Sequence, residues 1–157
     1  QQPVTVRAAA AADAGEICRL SAAELGYDWP ETALARTLEA QLARPDGRIF
    51  VAEQGGRVVG FVHAADYTLL YAPPMKNILG LAVEKKCQRQ GIGTALLDAV
   101  RGWAQESGAA GLRLDSGAQR RRAHAFYRDY GFNEEKKQLR FAMALGETPA
   151  APAAEKE

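Results

Sequence analysis

The chain predicts a mixed α/β (α+β) domain, and three observations carry that reading. Short strand-like runs alternate with amphipathic helical runs along most of its length. A chain of 157 residues is one domain's worth and long enough to bury a core. Two glycines one residue apart, Gly91 and Gly93, stand where a strand-like run passes straight into an apolar helix.

The elements follow in order. Val4–Arg7 reads as a first strand. Asp13 caps a helix, with Glu16 three residues on as a capping box, and that helix ends near Gly26. Pro30 suits the first turn of a second helix, in which Leu34, Leu38 and Leu42 recur every four residues until "RPDG" stops it. "RIFVAE", a turn at "QGGR" and "VVGFVHA" read as a strand hairpin. "YAPP" is a loop and "NILGLAV" a buried strand. The helix opened by the glycine pair runs to about Ser107, where Gly108 halts it. "GLRLD" is a strand, "RRRAHAFYRDY" a helix ended by Gly131, and "QLRFAMAL" a closing strand. Residues 1–145 are expected to form a single domain, and the Pro/Ala-rich, charged tail 146–157 to be disordered. No internal repeat is visible.

Composition removes several function classes. A formal net charge of +1 gives no general attraction to nucleic acid or to acidic membranes. Cys18 and Cys87 make neither a metal cluster nor a disulfide framework, so a reducing, cytoplasmic compartment is expected. His63 and His124 are too few for a zinc site without carboxylate help, and no metal is expected. No apolar run approaches the roughly 18 residues of a membrane span, and the start lacks a signal-peptide pattern.

The stretch "KCQRQGIGTALLDAV", Lys86–Val100, holds the chemistry. A helix N-terminus leaves N–H groups unpaired and carries partial positive charge, so it attracts anions. Gly91 and Gly93 remove side chains that would hold a phosphate away, Arg89 adds charge, Gln88 and Gln90 add polar arms, and Thr94 adds a hydroxyl. A tight strand–helix turn uses glycine in the same way, so the pair alone leaves both readings open. The P-loop is excluded because no G-K-[ST] follows, and the dinucleotide fingerprint because its third glycine position is Leu96.

Gln88-x-x-Gly91-x-Gly93, after "LGLAV" and before "TALLDAV", resembles the coenzyme A-binding segment of the GNAT superfamily of N-acetyltransferases, Q/R-x-x-G-x-G/A. Downstream, "AHAFYRDYGF" is similar to that family's second signature, and one helix and one strand separate the two. The resemblance spans roughly residues 4–145 and is closest to bacterial small-molecule acetyltransferases. It implies a GNAT fold, a mixed splayed β-sheet flanked by helices on both faces, open between the "NILGLAV" and "GLRLD" strands. The pantetheine arm of acetyl-CoA would pair there with the backbone of Leu81 and Val83, a bulge supplying the distortion. The pyrophosphate would sit on the segment Gln88, Arg89, Gln90, Gly91, Ile92, Gly93 and Thr94, with Arg120 near the coenzyme.

The implied reaction is direct attack of a primary amine on the thioester. It needs a neutral amine, an oxyanion donor such as a backbone N–H near Val83, and a proton for the departing thiolate. Tyr127 occupies the family's general-acid position and also its coenzyme-binding surface; without the motif it reads as a packed aromatic. The family's frequent glutamate is replaced by Asn77, and no base is assigned. His63, Asp66, Glu24 and a water chain stay open as substitutes. "QRRR" and the thiol of Cys87 read as a solvated helix start and an incidental cysteine. Acceptor walls are expected at "AAELGYDWPET" and "DYTLLYAPP", with Glu24, Tyr27, Trp29, His63, Asp66 and Asn77 as candidate substrate contacts. The acceptor is a small amine, a peptide amine remaining open; neither nucleic acid nor membrane is an expected partner, and the expectation extends to a homodimer. The missing glutamate keeps a second reading, a non-catalytic acyl-CoA sensor of the same fold.

Overall fold

In the computed structural model, which describes residues 2–146, five strands pair in chain order: β1 (Val4–Ala8), β2 (Gly47–Gln54), β3 (Arg57–Tyr67), β4 (Met75–Val83) and β5 (Leu112–Leu114). The first four are antiparallel neighbours and β5 joins β4 in parallel, the direction a helical crossover imposes. The helices are α1 (Ala14–Leu20), α2 (Glu31–Leu42), α3 (Ile92–Glu106) and α4 (Arg121–Tyr130). α1 runs on as a π turn over Ser21–Leu25 and stops at Gly26, at a left-handed φ of 80°.

Each sheet face is covered by its own helices. Val51, Phe61 and Ala82 pack with Ile17, Leu20 and Leu38 of α1 and α2. Ala52, Val62 and Ile78 pack with Ile92, Leu96, Leu97 and Val100 of α3. Strand alternation explains the division, with two interruptions. Ala52 pairs with Gly60 and Glu53 with Val58, so Val59 is the extra residue of a bulge. His63 pairs with Gly80 and Ala64 with Ile78, so Leu79 is the extra residue of a second. The second bulge reverses the facing of β4: Ile78 and Ala82 are four residues apart, yet lie on opposite faces.

Two local expectations are corrected. Asp13 works one turn earlier than as the side-chain cap of α1. Its carboxylate accepts the Ala10 N–H at 2.8 Å and both terminal nitrogens of Arg7 at 2.8 and 2.9 Å, closing the 3-10 turn Ala11–Asp13. The guanidinium from β1 offers a charge-assisted pair stronger than a cap. The closing strand expected at 138–145 is not a strand. Leu139, Phe141, Met143 and Leu145 are 82, 88, 82 and 78% exposed, because a strand forms only against a ladder partner. Of the tail expected to be disordered, residues 147–157 lie outside the described residues.

Candidate acetyl-CoA site

The sheet opens where the resemblance places the gap. β5 pairs with β4 only through Lys76–Ile78. The bulge at Leu79 follows at once, and from there to Val83 the strand keeps its ladder with β3 alone. The N–H of Glu84 donates to the Val59 carbonyl at 2.8 Å. Alternation therefore turns the backbone groups of Ala82 toward β3 and those of Leu81 and Val83 toward the open edge. An extended amide chain can pair there as an added strand.

Below the gap lies the glycine loop. The side-chain amide of Gln88 donates to the Val83 carbonyl at 3.0 Å, so Gln88 ties the loop to the strand end. Arg89 has a φ of 64°, unusual for a residue with a Cβ. Gly91, at φ 80°, caps α3, and the Ala95 N–H bonds its carbonyl at 3.0 Å. The N–H groups of Ile92, Gly93 and Thr94 thus have no carbonyl one turn back and face the loop mouth. Arg89 and Thr94 are exposed beside them, whereas Gln90 is drawn to Gln54, whose side-chain amide donates to its Oε1 at 2.9 Å. Ile92 is 1% exposed, so its side chain belongs to the core and its backbone N–H alone faces the mouth. The two glycines differ in purpose. A Cβ at Gly91 would meet nothing within 4 Å, while one at Gly93 would stand 2.9 Å from Phe126 Cζ. Gly91 serves the turn and Gly93 the close approach of α4.

Glu84, which sequence reasoning missed, anchors this region. Its buried carboxylate takes Arg57 and Arg19 together, with the Cys87 thiol at 3.5 Å. The hydrogen bonds from Arg57 hold its carboxyl down to about 2, against the opposing cost of burial. Burial, followed by this carboxylate, pushes the Cys87 thiol up, the opposite of what a nucleophile needs.

Tyr127 is buried on α4, its ring 5.5 Å from Phe126 and 5.8 Å from Phe132. Arg120 caps the same helix, and His124 hydrogen-bonds the Gly117 carbonyl at 2.8 Å, fixing the turn before it.

The acceptor residues divide. His63 lies beside the bulge, opposite Gly80. Its Nε2 is buried without a hydrogen-bond partner among the described residues, and burial lowers its pKa. Asn77 accepts from Arg113 at 2.6 Å; Arg113 stacks 4.3 Å over Tyr67 and pairs with Asp115 at 2.8 Å. Arg113 was also missed, though a charge between Leu112 and Leu114 is the mark of a residue turned to the opposite face. Glu24 accepts the Lys85 N–H at 3.0 Å, joining the π turn to the loop. Tyr27 packs on the α1–α2 core, and Trp29 stands at the rim, its carbonyl 3.4 Å from Cys18 Sγ. Asp66 is held elsewhere: it pairs with Lys76, whose ammonium lies 4.0 Å over Trp103, in a depression shared with Arg48. Among the described residues there is no cluster of three or more His, Cys, Asp or Glu able to hold a metal, and no helix long and apolar enough to cross a membrane.

Residues 14–132 match the acetyltransferase (GNAT) family. An aminoglycoside N(6')-acetyltransferase type 1 of Stenotrophomonas maltophilia is 33% identical over 147 residues, 90% of this chain and 94% of that protein. The fold matches the apo crystal structure of an aminoglycoside 6'-N-acetyltransferase from Acinetobacter haemolyticus, at TM-score 0.79 and 19% identity, over 90% of this chain and 99% of that one. It also matches an aminoglycoside N-acetyltransferase in complex with CoA, at TM-score 0.81 and 17% identity, over 92% and 97%. The family match over residues 14–132 and the relative of 33% identity establish that the chain belongs to the GNAT acetyltransferase family.

Proposed function

We propose that this acetyl-CoA-dependent N-acetyltransferase acts on the primary amine of an aminoglycoside-like small molecule. The observation that carries the cofactor half is the free edge of β4 beyond its bulge, ending in the glycine loop. The acceptor half is supported by the relative of 33% identity, whose name gives an aminoglycoside as substrate.

In this reading, Leu81 and Val83 pair with the pantetheine amides. The N–H groups of Ile92, Gly93 and Thr94, with Arg89, receive the pyrophosphate. Gln88, Gln90 and Gly91 shape that loop, and Arg120 meets the coenzyme from α4. The neutral amine attacks the thioester carbonyl carbon, forming the C–N bond as negative charge gathers on oxygen near the Val83 N–H. The C–S bond then breaks and Tyr127 Oη protonates the leaving thiolate. We place His63 to receive the amine's proton, directly or through water: burial keeps its ring neutral, and Nε2 holds no other partner among the described residues. No acyl-enzyme forms, consistent with the raised pKa of Cys87. Glu24, Tyr27, Trp29 and Asn77 line the approach, and Asp66, committed to Lys76, contributes only structurally. We read residues 1–145 as one domain, working in the cytoplasm as a homodimer.

The test is release of CoA thiol, with product mass, across aminoglycosides, polyamines and peptide amines. Turnover on aminoglycosides is expected. CoA binding without turnover on any amine would favour a sensor, and turnover confined to peptides would overturn the small-molecule acceptor.

A further inference from the structure

We infer that Asn77, held by Arg113, reads an uncharged oxygen beside the acceptor's amine, so that the site selects amino alcohols over diamines. The inference deepens the proposed amine acetylation and rests on it.

Strand alternation puts both residues on the acceptor face. Ile78, Leu112 and Leu114 pack with α3, so Asn77 and its partner in register, Arg113, turn to the opposite face. Val62 and Ala64 also pack toward α3, which turns His63 and Tyr67 to the same face as Asn77. Asn77 pairs with Ala65, and His63 stands two residues back along β3. Asn77 and His63 are therefore diagonal neighbours, about 7–8 Å apart at their backbones. An oxygen held by Asn77 and an amine whose proton goes to His63 fit within one short carbon frame.

Arg113 fixes which way the Asn77 amide turns. Its Nη1 donates to Asn77 Oδ1 at 2.6 Å, and a guanidinium has donors only. The amide therefore points its oxygen at Arg113 and its Nδ2 away, and Nδ2 makes no hydrogen bond among the described residues. Asn77 is only partly buried, so a ligand can reach it. Arg113 is fixed in turn by the Tyr67 ring at 4.3 Å and by Asp115 at 2.8 Å. If tying β5 to β4 were the whole purpose, an aspartate would accept from Arg113 more strongly. The amide adds two N–H donors that the tie does not use.

Those donors choose the ligand. An ammonium has hydrogens and no lone pair, so it cannot bond Nδ2. The amine under attack cannot take the bond either, because its lone pair must reach the thioester carbonyl. Asp115 already balances the charge of Arg113, so the pair does not call for an anion. What remains is a neutral oxygen, the hydroxyl of an amino alcohol, and amino sugars carry that pattern.

The experiment compares kcat/KM, by release of CoA thiol, for matched acceptors. These are a primary amine with a neighbouring hydroxyl, the same frame without the hydroxyl, and the same frame with an amine in its place. Each is taken as an aminosugar glycoside and as an open-chain compound. The proteins are the original, Asn77→Asp and Arg113→Met, with the CoA-induced rise in Tm checking the fold of each variant. The original should prefer the hydroxyl compound by about 10–100-fold over both analogues. Asn77→Asp keeps an acceptor for Arg113 and removes the donors, so it should reverse the order and favour the diamine. Arg113→Met frees the amide to turn over, so the preference should fall most of the way to parity. Equal kcat/KM for the matched acceptors with the original protein, or an order that Asn77→Asp leaves unchanged, would overturn the inference. A preference untouched by Arg113→Met would remove Arg113 as the positioning residue. Turnover of the open-chain series alone would overturn the aminoglycoside-like acceptor, and the order within that series would then decide the inference. No turnover of any acceptor would overturn both.

Discussion

Gly93→Ala tests how α3 and α4 meet over the site. The added Cβ would fall 2.9 Å from Phe126 Cζ, where carbon atoms rest at about 3.5–4.0 Å. The ring cannot move freely, since it packs in the core beside Tyr127 at 5.5 Å. Overpacking of this kind costs about 1–3 kcal/mol. Replacing a helical glycine by alanine returns about 0.5–1 kcal/mol, so the net loss should fall between about 0 and 2.5 kcal/mol, centred on about 1 kcal/mol. Gly91→Ala should lose about as much for another reason, because a φ of 80° costs a residue with a Cβ about 1–2 kcal/mol while nothing lies in the way. Phe126→Leu removes the obstructing ring tip and separates the two causes. Urea denaturation of single and double variants should show Phe126→Leu offsetting part of the Gly93→Ala loss and none of the Gly91→Ala loss. Additivity in the Gly93 cycle would refute the claim that Phe126 makes position 93 a glycine.

Other expectations concern the chemistry and its support. Tyr127→Phe keeps the ring and removes the acid, so kcat should fall about 10²–10⁴-fold with KM for acetyl-CoA nearly unchanged; an unchanged chemical step in a folded variant would make Tyr127 a packing residue. The lowered pKa of His63 should let the original protein hold kcat/KM below pH 6.5, and His63→Gln should lose about 10²-fold and flatten the acid limb; an unaltered pH profile would dismiss it as the base. The Glu84 carboxyl, depressed to about 2 from 4.5, contributes stability present above 4.5 and lost as pH falls through about 2. Glu84→Gln should therefore cost about 3 kcal/mol at neutral pH and weaken the acid-induced loss, measured by denaturation against pH.

Most of the frame was legible because it rests on local rules. The hairpin turn needs the positive φ of Gly55 and Gly56, α3 runs between Gly91 and Gly108, and alternation marks β2 to β4. The glycine loop was legible as the turn that opens α3, but the purpose of Gly93 in the approach of α4 was not, since Phe126 is distant in sequence and meets it only through packing. Glu84 and Arg113 escaped for a similar reason: their partners Arg19, Arg57 and Asn77 come from other elements. Asp66 was read as an acceptor contact because it stands near the hairpin strand, whereas Lys76 and Trp103 hold it elsewhere. The bulge at Leu79 has no local sequence signal, yet it frees the edge. "QLRFAMAL" has the alternation of a strand but no ladder partner among the described residues, and a pattern does not supply one.

Hydrogen exchange with and without CoA tests the placement of the cofactor most directly. Added CoA should slow exchange at the amides of Leu81 and Val83 and across residues 89–94, leaving β1 and β2 unchanged. Protection confined to the depression around Arg48, Lys76 and Trp103, with the β4 edge unaffected, would contradict the account.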